Sequence, residues 1–441
     1  MSQTPRFTTR ILTFWTAWAA SRVSILLLLG VAPAQAHAIS DVRLYARWYS
    51  DSLSHGHAPH DAQWNYPPGA GVSLWLAGLI TPYVVGLLVL LLAADIAIVR
   101  VIRRRAQDSW GPIFWVVAPL LLGPVVLARF DLIPSAFAVA GLVAGPLAAG
   151  FLLATGALVK AWPVVLLALR AANASASQLR RLTAGALVSA AGLAGVLAAT
   201  HQWGSLTSWM TGNGSRGLQI ESVAASPWVL MRVLGVHVEA PFNHGSVQVV
   251  GTGTAITATV CSILGLIVVA AGLIARRRGA DLLTVAAAVV LCLTVTAKVL
   301  SPQYLLWSMA LVALTRSRQA MVLLGSAALL TQAVFPTTYT SFINGEQVST
   351  AIMLTRNVLL LACAASLIRD VVRSMRAEVV DDQQLFLARA IADAREHQLP
   401  LQRRPLLPQP RNRPSSVVAS DAQVHSRSTH SLPAAPSRPA S

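Results

Sequence analysis

Long apolar runs separated by short polar stretches dominate the chain. A run of about twenty apolar residues crosses a bilayer as a helix, because the hydrocarbon offers backbone groups no other partner. The pattern predicts helices over 11–31, 82–99, 112–128, 182–200, 254–275, 282–300, 305–314, 320–335 and 352–368. The segment 69–80 is too short to span and is expected to lie along the surface or dip in. Residues 133–169 must hold an odd number of crossings, yet these 37 residues cannot hold three full ones. Either one helix crosses beside a shallow partner or three short helices meet partway, and Pro146 and Pro163 favour broken helices. The sum is about 10–12 crossings at ~20 residues each.

Two polar stretches, 40–68 and 201–253, interrupt this pattern as large loops. Arginines cluster at the opposite helix ends, among them Arg100, Arg103, Arg170, Arg180, Arg276, Arg316, Arg369 and Arg373. Basic residues stay on the cytoplasmic side, so both large loops are expected outside and both termini inside. The first run follows Arg6 and Arg10 and precedes Ala34-Gln35-Ala36-His37-Ala38, as in a secretory signal. It is long for a signal core and Arg22 interrupts it, so a retained helix is expected.

Composition agrees: 55% hydrophobic, 12% charged and a mean hydropathy of +0.59 specify an all-α polytopic membrane protein. A net charge of +17 would suit nucleic acid, but its placement at helix ends argues for none. Cys261, Cys292 and Cys363 lie in apolar runs and read as small buried thiols. Residues 1–370 form the expected membrane domain, 371–398 a cytoplasmic helix, and 399–441 a disordered tail rich in Pro, Arg, Ser and Gln. The chain carries no Walker A loop and no dinucleotide fingerprint after a strand.

Chemistry therefore concentrates in the outer loops. Asp41 is the first carboxylate after the first helix, and on a helix Tyr45 shares its face. A shielded carboxylate there suits a general base; the alternative is a solvated acid at a helix end. His55, His57, His60 and Asp61 have metal-ligand chemistry, but with no second matching motif they read as polar loop residues. The only lysines, Lys160 and Lys298, fall in apolar stretches shortly before a proline. A lysine inside a membrane helix costs roughly 2.5–3.5 kcal/mol and so tends to face a cavity or an anion, or to snorkel. Arg129 and Asp131 are spaced to pair with each other, as are Arg216 and Glu221. Several cations near one or more carboxylates are what transfer from a lipid-linked phosphosugar requires.

At these residues the chain resembles glycosyltransferase family 87. The resemblance rests on the 41–68 loop ending Tyr66-Pro67-Pro68, Arg129-Phe130-Asp131, the 150–163 run through Lys160-Ala161-Trp162-Pro163, Gly217-Leu218-Gln219-Ile220-Glu221-Ser222, and Leu300-Ser301-Pro302-Gln303-Tyr304. It covers about residues 8–370. It implies a bundle like those of the GT-C superfamily, and an inverting, metal-independent mannosyltransferase without a cofactor. Its implied partners are a polyprenyl-phosphate-linked sugar donor, a glycolipid or glycan acceptor, and membrane lipids. By position, Asp41, or a companion at Asp51 or Asp61, would be the base. Arg129, Lys160 and Lys298 would contact phosphate or donor, and Gln219, Glu221 and Gln303 would contact sugar or support it. Tyr45, Tyr66, Asp131, Arg216 and Tyr304 complete the expected substrate site. The rival readings are a transporter or flippase of a lipid-linked intermediate, and an anchor whose tail recruits partners.

Overall fold

The computed structural model describes residues 4–31, 37–59, 63–106, 108–200, 209–210, 216–243 and 245–398, with side chains between 12 and 376. His60, Asp61, most of 201–215 and the tail 399–441 lie outside the described residues. Two compact units emerge, 1–382 and 383–441. The second is described only as helix to Gln398.

The chain is an all-α polytopic membrane protein. In order, its helices are α1 (Thr4–Leu29), α2 (Ile39–Asp51), α3 (Pro68–Ala77), α4 (Tyr83–Arg105), α5 (Trp110–Leu122), α6 (Val125–Ala128), α7 (Leu132–Val143), α8 (Pro146–Val159), α9 (Pro163–Ala171) and α10 (Ala176–Ala199). There follow α11 (Ser226–Val233), α12 (Thr254–Arg277), α13 (Leu282–Thr296), α14 (Tyr304–Val312), α15 (Arg318–Gln332), α16 (Tyr339–Ile343) and α17 (Gln347–Gln398). Among the described residues, six helical stretches are long and apolar enough to cross a membrane: 12–29, 83–105, 176–199, 254–277, 318–337 and 347–376. The other apolar segments form shorter helices, among them α5, α7, α8 and α13.

Proline and glycine explain the broken elements. The predicted helix over 112–128 divides at Gly123-Pro124 into α5 and α6. In the 133–169 region Pro146 and Pro163 each open a new helix, giving α7, α8 and α9. This is the arrangement of three short helices, and a proline supports it because its missing N–H is harmless at a helix start. Helix α8 packs along α10 at van der Waals closeness. A Cβ on Gly150 would sit 1.9 Å from the Leu182 carbonyl, and one on Gly185 would sit 2.0 Å from that of Leu147. Small residues permit such approach where lipid supplies no hydrophobic drive.

The second polar loop is not wholly helical. Strands β1 (Leu218–Gln219), β2 (Phe242–Asn243) and β3 (Ser246–Val249) form an antiparallel sheet in the order β1-β3-β2. Leu218 pairs with Val249 and Gln219 with Gln248. A core of Leu218, Ile220, Val229, Val247 and Val249 packs on Val334, Phe342 and Met353 near α15, α16 and α17. That core fixes the height at which Gln219 and Glu221 stand.

Both lysines sit just beyond helix ends rather than within helices. Lys160 caps α8 with extended backbone, and Lys298 follows α13 by two residues. Pro163 opens the next helix after Lys160, and Pro302 precedes α14 after Lys298, so each lysine falls in the break between two helices.

Candidate active site

Helix α2 carries Asp41 and Tyr45 on one face, one turn apart, as the spacing predicts. Val42, Tyr45 and Trp48 are buried, while Arg43, Arg47 and Ser50 are exposed. This amphipathic helix lies over the break between α6 and α7, where Arg129, Phe130 and Asp131 are held. Tyr45 and Tyr66 both meet the Phe130 ring edge-on, with centroids 5.6 and 4.9 Å apart.

The charges pair differently from the sequence expectation. Arg129 does not pair with Asp131; it forms a close ion pair with Asp41. Asp131 instead accepts from Lys160 Nζ at 2.6 Å and from Trp307 Nε1 at 2.7 Å. Arg129 and Asp131, on either side of Phe130, thus take different partners. Arg216 and Glu221 are also not partners. Arg216 donates to Ser246 Oγ at 3.1 Å, held by the sheet. Glu221 accepts from Gln219 Nε2 at 2.5 Å and from Tyr339 at 3.4 Å.

Lys160 stands in an aromatic box. Its Nζ lies 5.1–5.4 Å from the ring centroids of Tyr66, Phe130, Tyr304 and Trp307. Ring faces stabilise a desolvated cation, and Asp131 supplies the opposite charge. Trp162 stacks on Trp307, which stacks on Tyr304, at 5.3 and 4.1 Å. These stacked faces form one wall.

Two adjoining cavities share Asp41, Leu44, Gln63, Arg129, Gly245 and Ser301 in their walls. The first, about 540 Å³, reaches His37, Arg43, Gln219, Glu221 and Tyr339. The second, about 230 Å³, reaches Tyr45, Tyr66, Lys160, Arg216, Gln303 and Tyr304. Asp41 and Arg129 therefore stand on the partition. Several buried polar atoms in these walls have no protein partner: Tyr45 Oη, Arg129 Nε, Trp162 Nε1, Arg216 Nε, Gln219 Oε1, Glu221 Oε1 and Gln303 Oε1. Buried polar groups are ordinarily bonded, so their concentration here marks a surface shaped for a polar ligand.

Burial also sets proton affinities. Burial raises the Asp41 carboxyl above its ordinary range, against the pull of Arg129. Glu221 is pushed up to about 7 by burial, with Arg356 acting in the opposite sense. Burial raises the Tyr45 and Tyr66 hydroxyls above their ordinary range. A carboxylate with raised proton affinity, one face to a cavity and one to a guanidinium, can take a proton from a bound hydroxyl.

Not every expected residue joins the cavities. Lys298 is half-buried near Arg216 and contributes its backbone carbonyl to Gln219 N at 2.9 Å; its side chain lines neither cavity. Asp51 is exposed at the end of α2 and accepts from Ser50 Oγ. His55 and His57 are exposed. Sequence reasoning missed His37, Tyr339 and Arg356. Arg356 is buried and donates to the Glu221 backbone carbonyl at 2.9 Å. An arginine inside the apolar run 352–368 was the available signal.

The model of glycosyltransferase family 87 matches residues 64–302. Tyr66, Arg129, Asp131, Lys160, Arg216, Gln219, Glu221 and Lys298 lie inside that span, whereas Asp41 and Tyr45 precede it and Gln303 and Tyr304 follow it. Comparison with curated proteins and with solved structures gives no match. A match over more than half of the chain, on helices long and apolar enough to cross a membrane, places this protein in glycosyltransferase family 87 as a membrane glycosyltransferase.

Proposed function

We propose that the protein moves a sugar, mannose in the first instance, from a polyprenyl-phosphate carrier to a glycolipid or cell-envelope glycan at the extracytoplasmic face. The observation that carries this is Asp41 on the partition between two polar cavities, tied to Arg129. The smaller cavity, with Lys160, Arg129, Arg216 and stacked aromatic faces, suits a phosphosugar. The larger one, with Glu221, Gln219 and Tyr339, suits a hydroxyl-rich acceptor.

In this reading Asp41 accepts the proton of the attacking acceptor hydroxyl. That oxygen bonds to the sugar anomeric carbon as the bond to the carrier phosphate breaks, so configuration inverts. The leaving phosphate gains charge. Arg129 and Lys160, fixed in place before reaction, stabilise it without reorganisation. The α2 loop and the sheet-bearing loop lie outside because arginines crowd the opposite helix ends.

The test is transfer from labelled polyprenyl-phosphate mannose by purified protein in proteoliposomes. Covalent product that disappears with Asp41→Asn supports the proposal. Movement of the lipid-linked sugar across the bilayer without covalent transfer would instead favour the transporter reading.

A further inference from the structure

At the end of the molecule away from the candidate site lies a cavity of about 550 Å³. It is bounded by the first turn of α13 at Thr284, the turn from Thr315 to Gln319, and α17 from Arg369 to Ser374. Helix α15 links the two ends: it starts at Arg318 in this cavity and leads to Phe335 and Tyr339 in the site wall.

Arg316, Arg318, Arg369 and Arg373 all line the cavity, and Asp370 is the one lining carboxylate. Asp370 is already engaged. Its Oδ2 accepts from Ser317 Oγ at 2.5 Å, and its Oδ1 lies 3.6 Å from Arg373. Asp108 lies 3.5 Å from Arg318 but outside the lining. The guanidiniums thus outnumber their counter-charges. Arg318 and Arg373 leave 62% and 67% of their side chains exposed, so their donors are accessible. The amino end of α15 adds partial positive charge from its unpaired N–H groups.

The surroundings select among anions. Val322, one turn along α15 from Arg318, and Ile368, beside Arg369, are large apolar residues at least half exposed. Both belong to stretches able to cross a membrane. A cationic recess that meets apolar, lipid-facing surface at helix ends matches a molecule with a phosphate head and acyl chains. Basic recesses between membrane helices take acidic headgroups in this way, and arginine binds phosphate through paired N–H donors.

We infer that this cavity binds the phosphodiester headgroup of an anionic membrane lipid, separate from the glycosyl-transfer site. The full chain is placed in nanodiscs of phosphatidylcholine with a minor fraction of phosphatidylglycerol, and lipid retained after extraction is read by native mass spectrometry. The wild type should retain phosphatidylglycerol in preference to phosphatidylcholine. The pair Arg369→Gln and Arg373→Gln should retain roughly tenfold less, as loss of charge-assisted hydrogen bonds would give. The pair Arg316→Gln and Arg318→Gln should behave alike, which guards against a folding defect in either. The control pair Arg277→Gln and Arg278→Gln removes two exposed charges from another helix end and should leave retention unchanged. Equal loss in the control, or no preference for phosphatidylglycerol in the wild type, overturns the inference. Displacement of the lipid by inorganic phosphate alone would also overturn it, by showing a site for the free anion.

Discussion

Among the described residues, two arginine–carboxylate pairs are wholly or largely withdrawn from solvent, and they are built to opposite ends. Arg22 of α1 meets Asp95 of α4 through Nε at 2.7 Å and Nη2 at 3.1 Å. Trp18 and Trp115 donate to the same carboxylate at 2.9 and 2.7 Å, and Ser21 Oγ with the carbonyls of Trp115 and Val116 takes the remaining arginine donors. Their side chains are 3% and 1% exposed. Arg129 and Asp41 are 17% and 16% exposed, Arg129 Nε has no protein partner, and both face two cavities. A saturated, sealed pair holds helices together. A pair with spare hydrogen-bonding capacity facing a cavity is available for chemistry. Ionisable residues inside a membrane protein thus divide by saturation, not by charge alone.

That division fixes what each substitution should do. Asp41→Asn is expected to lower transfer by about 10²–10⁴-fold, the range for losing a general base, with folded protein still recovered by size-exclusion chromatography. Lys160→Met should cut transfer by about 10²–10³-fold, as removal of one preorganised charge stabiliser does. In part it should act through stability, because Asp131 is left buried without its cation. Restoring neutrality with Asp131→Asn should recover folding and not transfer. Asp95→Asn reverses the pattern. It should cost about 3–5 kcal/mol of stability by stranding Arg22, measured as a drop in thermal midpoint, while the folded fraction keeps its turnover.

Smaller effects sharpen the contrast. A base must be deprotonated, and burial raises the proton affinity of Asp41, so kcat/KM should fall as pH drops through a value above the ordinary carboxylate range of about 4. Glu221, pushed up to about 7, passes from neutral to charged as pH rises through that value. The Glu221→Gln variant should lose any inflection near neutrality and keep the acid limb. Tyr339→Phe removes one long hydrogen bond to Glu221 and should change acceptor KM by only about 2–5-fold.

Much of this was legible in the sequence. Helix positions followed from apolar run length, and the divisions at Pro146 and Pro163 from proline's missing donor, whereas the break at Gly123-Pro124 went unread inside one expected helix. That Asp41 and Tyr45 share one helix face was legible because helical spacing is a local property. The pairing of charges was not legible: Arg129 and Asp131 are neighbours in sequence, yet tertiary packing sends one to Asp41 and the other to Lys160. Asp95 stood in plain view as the one acid of an apolar run, but its saturation depends on Arg22, 73 residues away. The small sheet escaped because strands as short as Leu218–Gln219 carry no usable periodicity. His37 and Tyr339 reach the site only through packing between distant segments.

In the proposed reaction Asp41 acts on a substrate which the neighbouring cations hold, and this division of labour can be measured. It is tested most directly by measuring donor binding and sugar transfer together on Asp41→Asn protein in proteoliposomes, with labelled polyprenyl-phosphate mannose. Donor affinity is expected within a few-fold of wild type, with transfer lowered by at least about 10²-fold. Transfer at the wild-type rate would remove Asp41 from the mechanism.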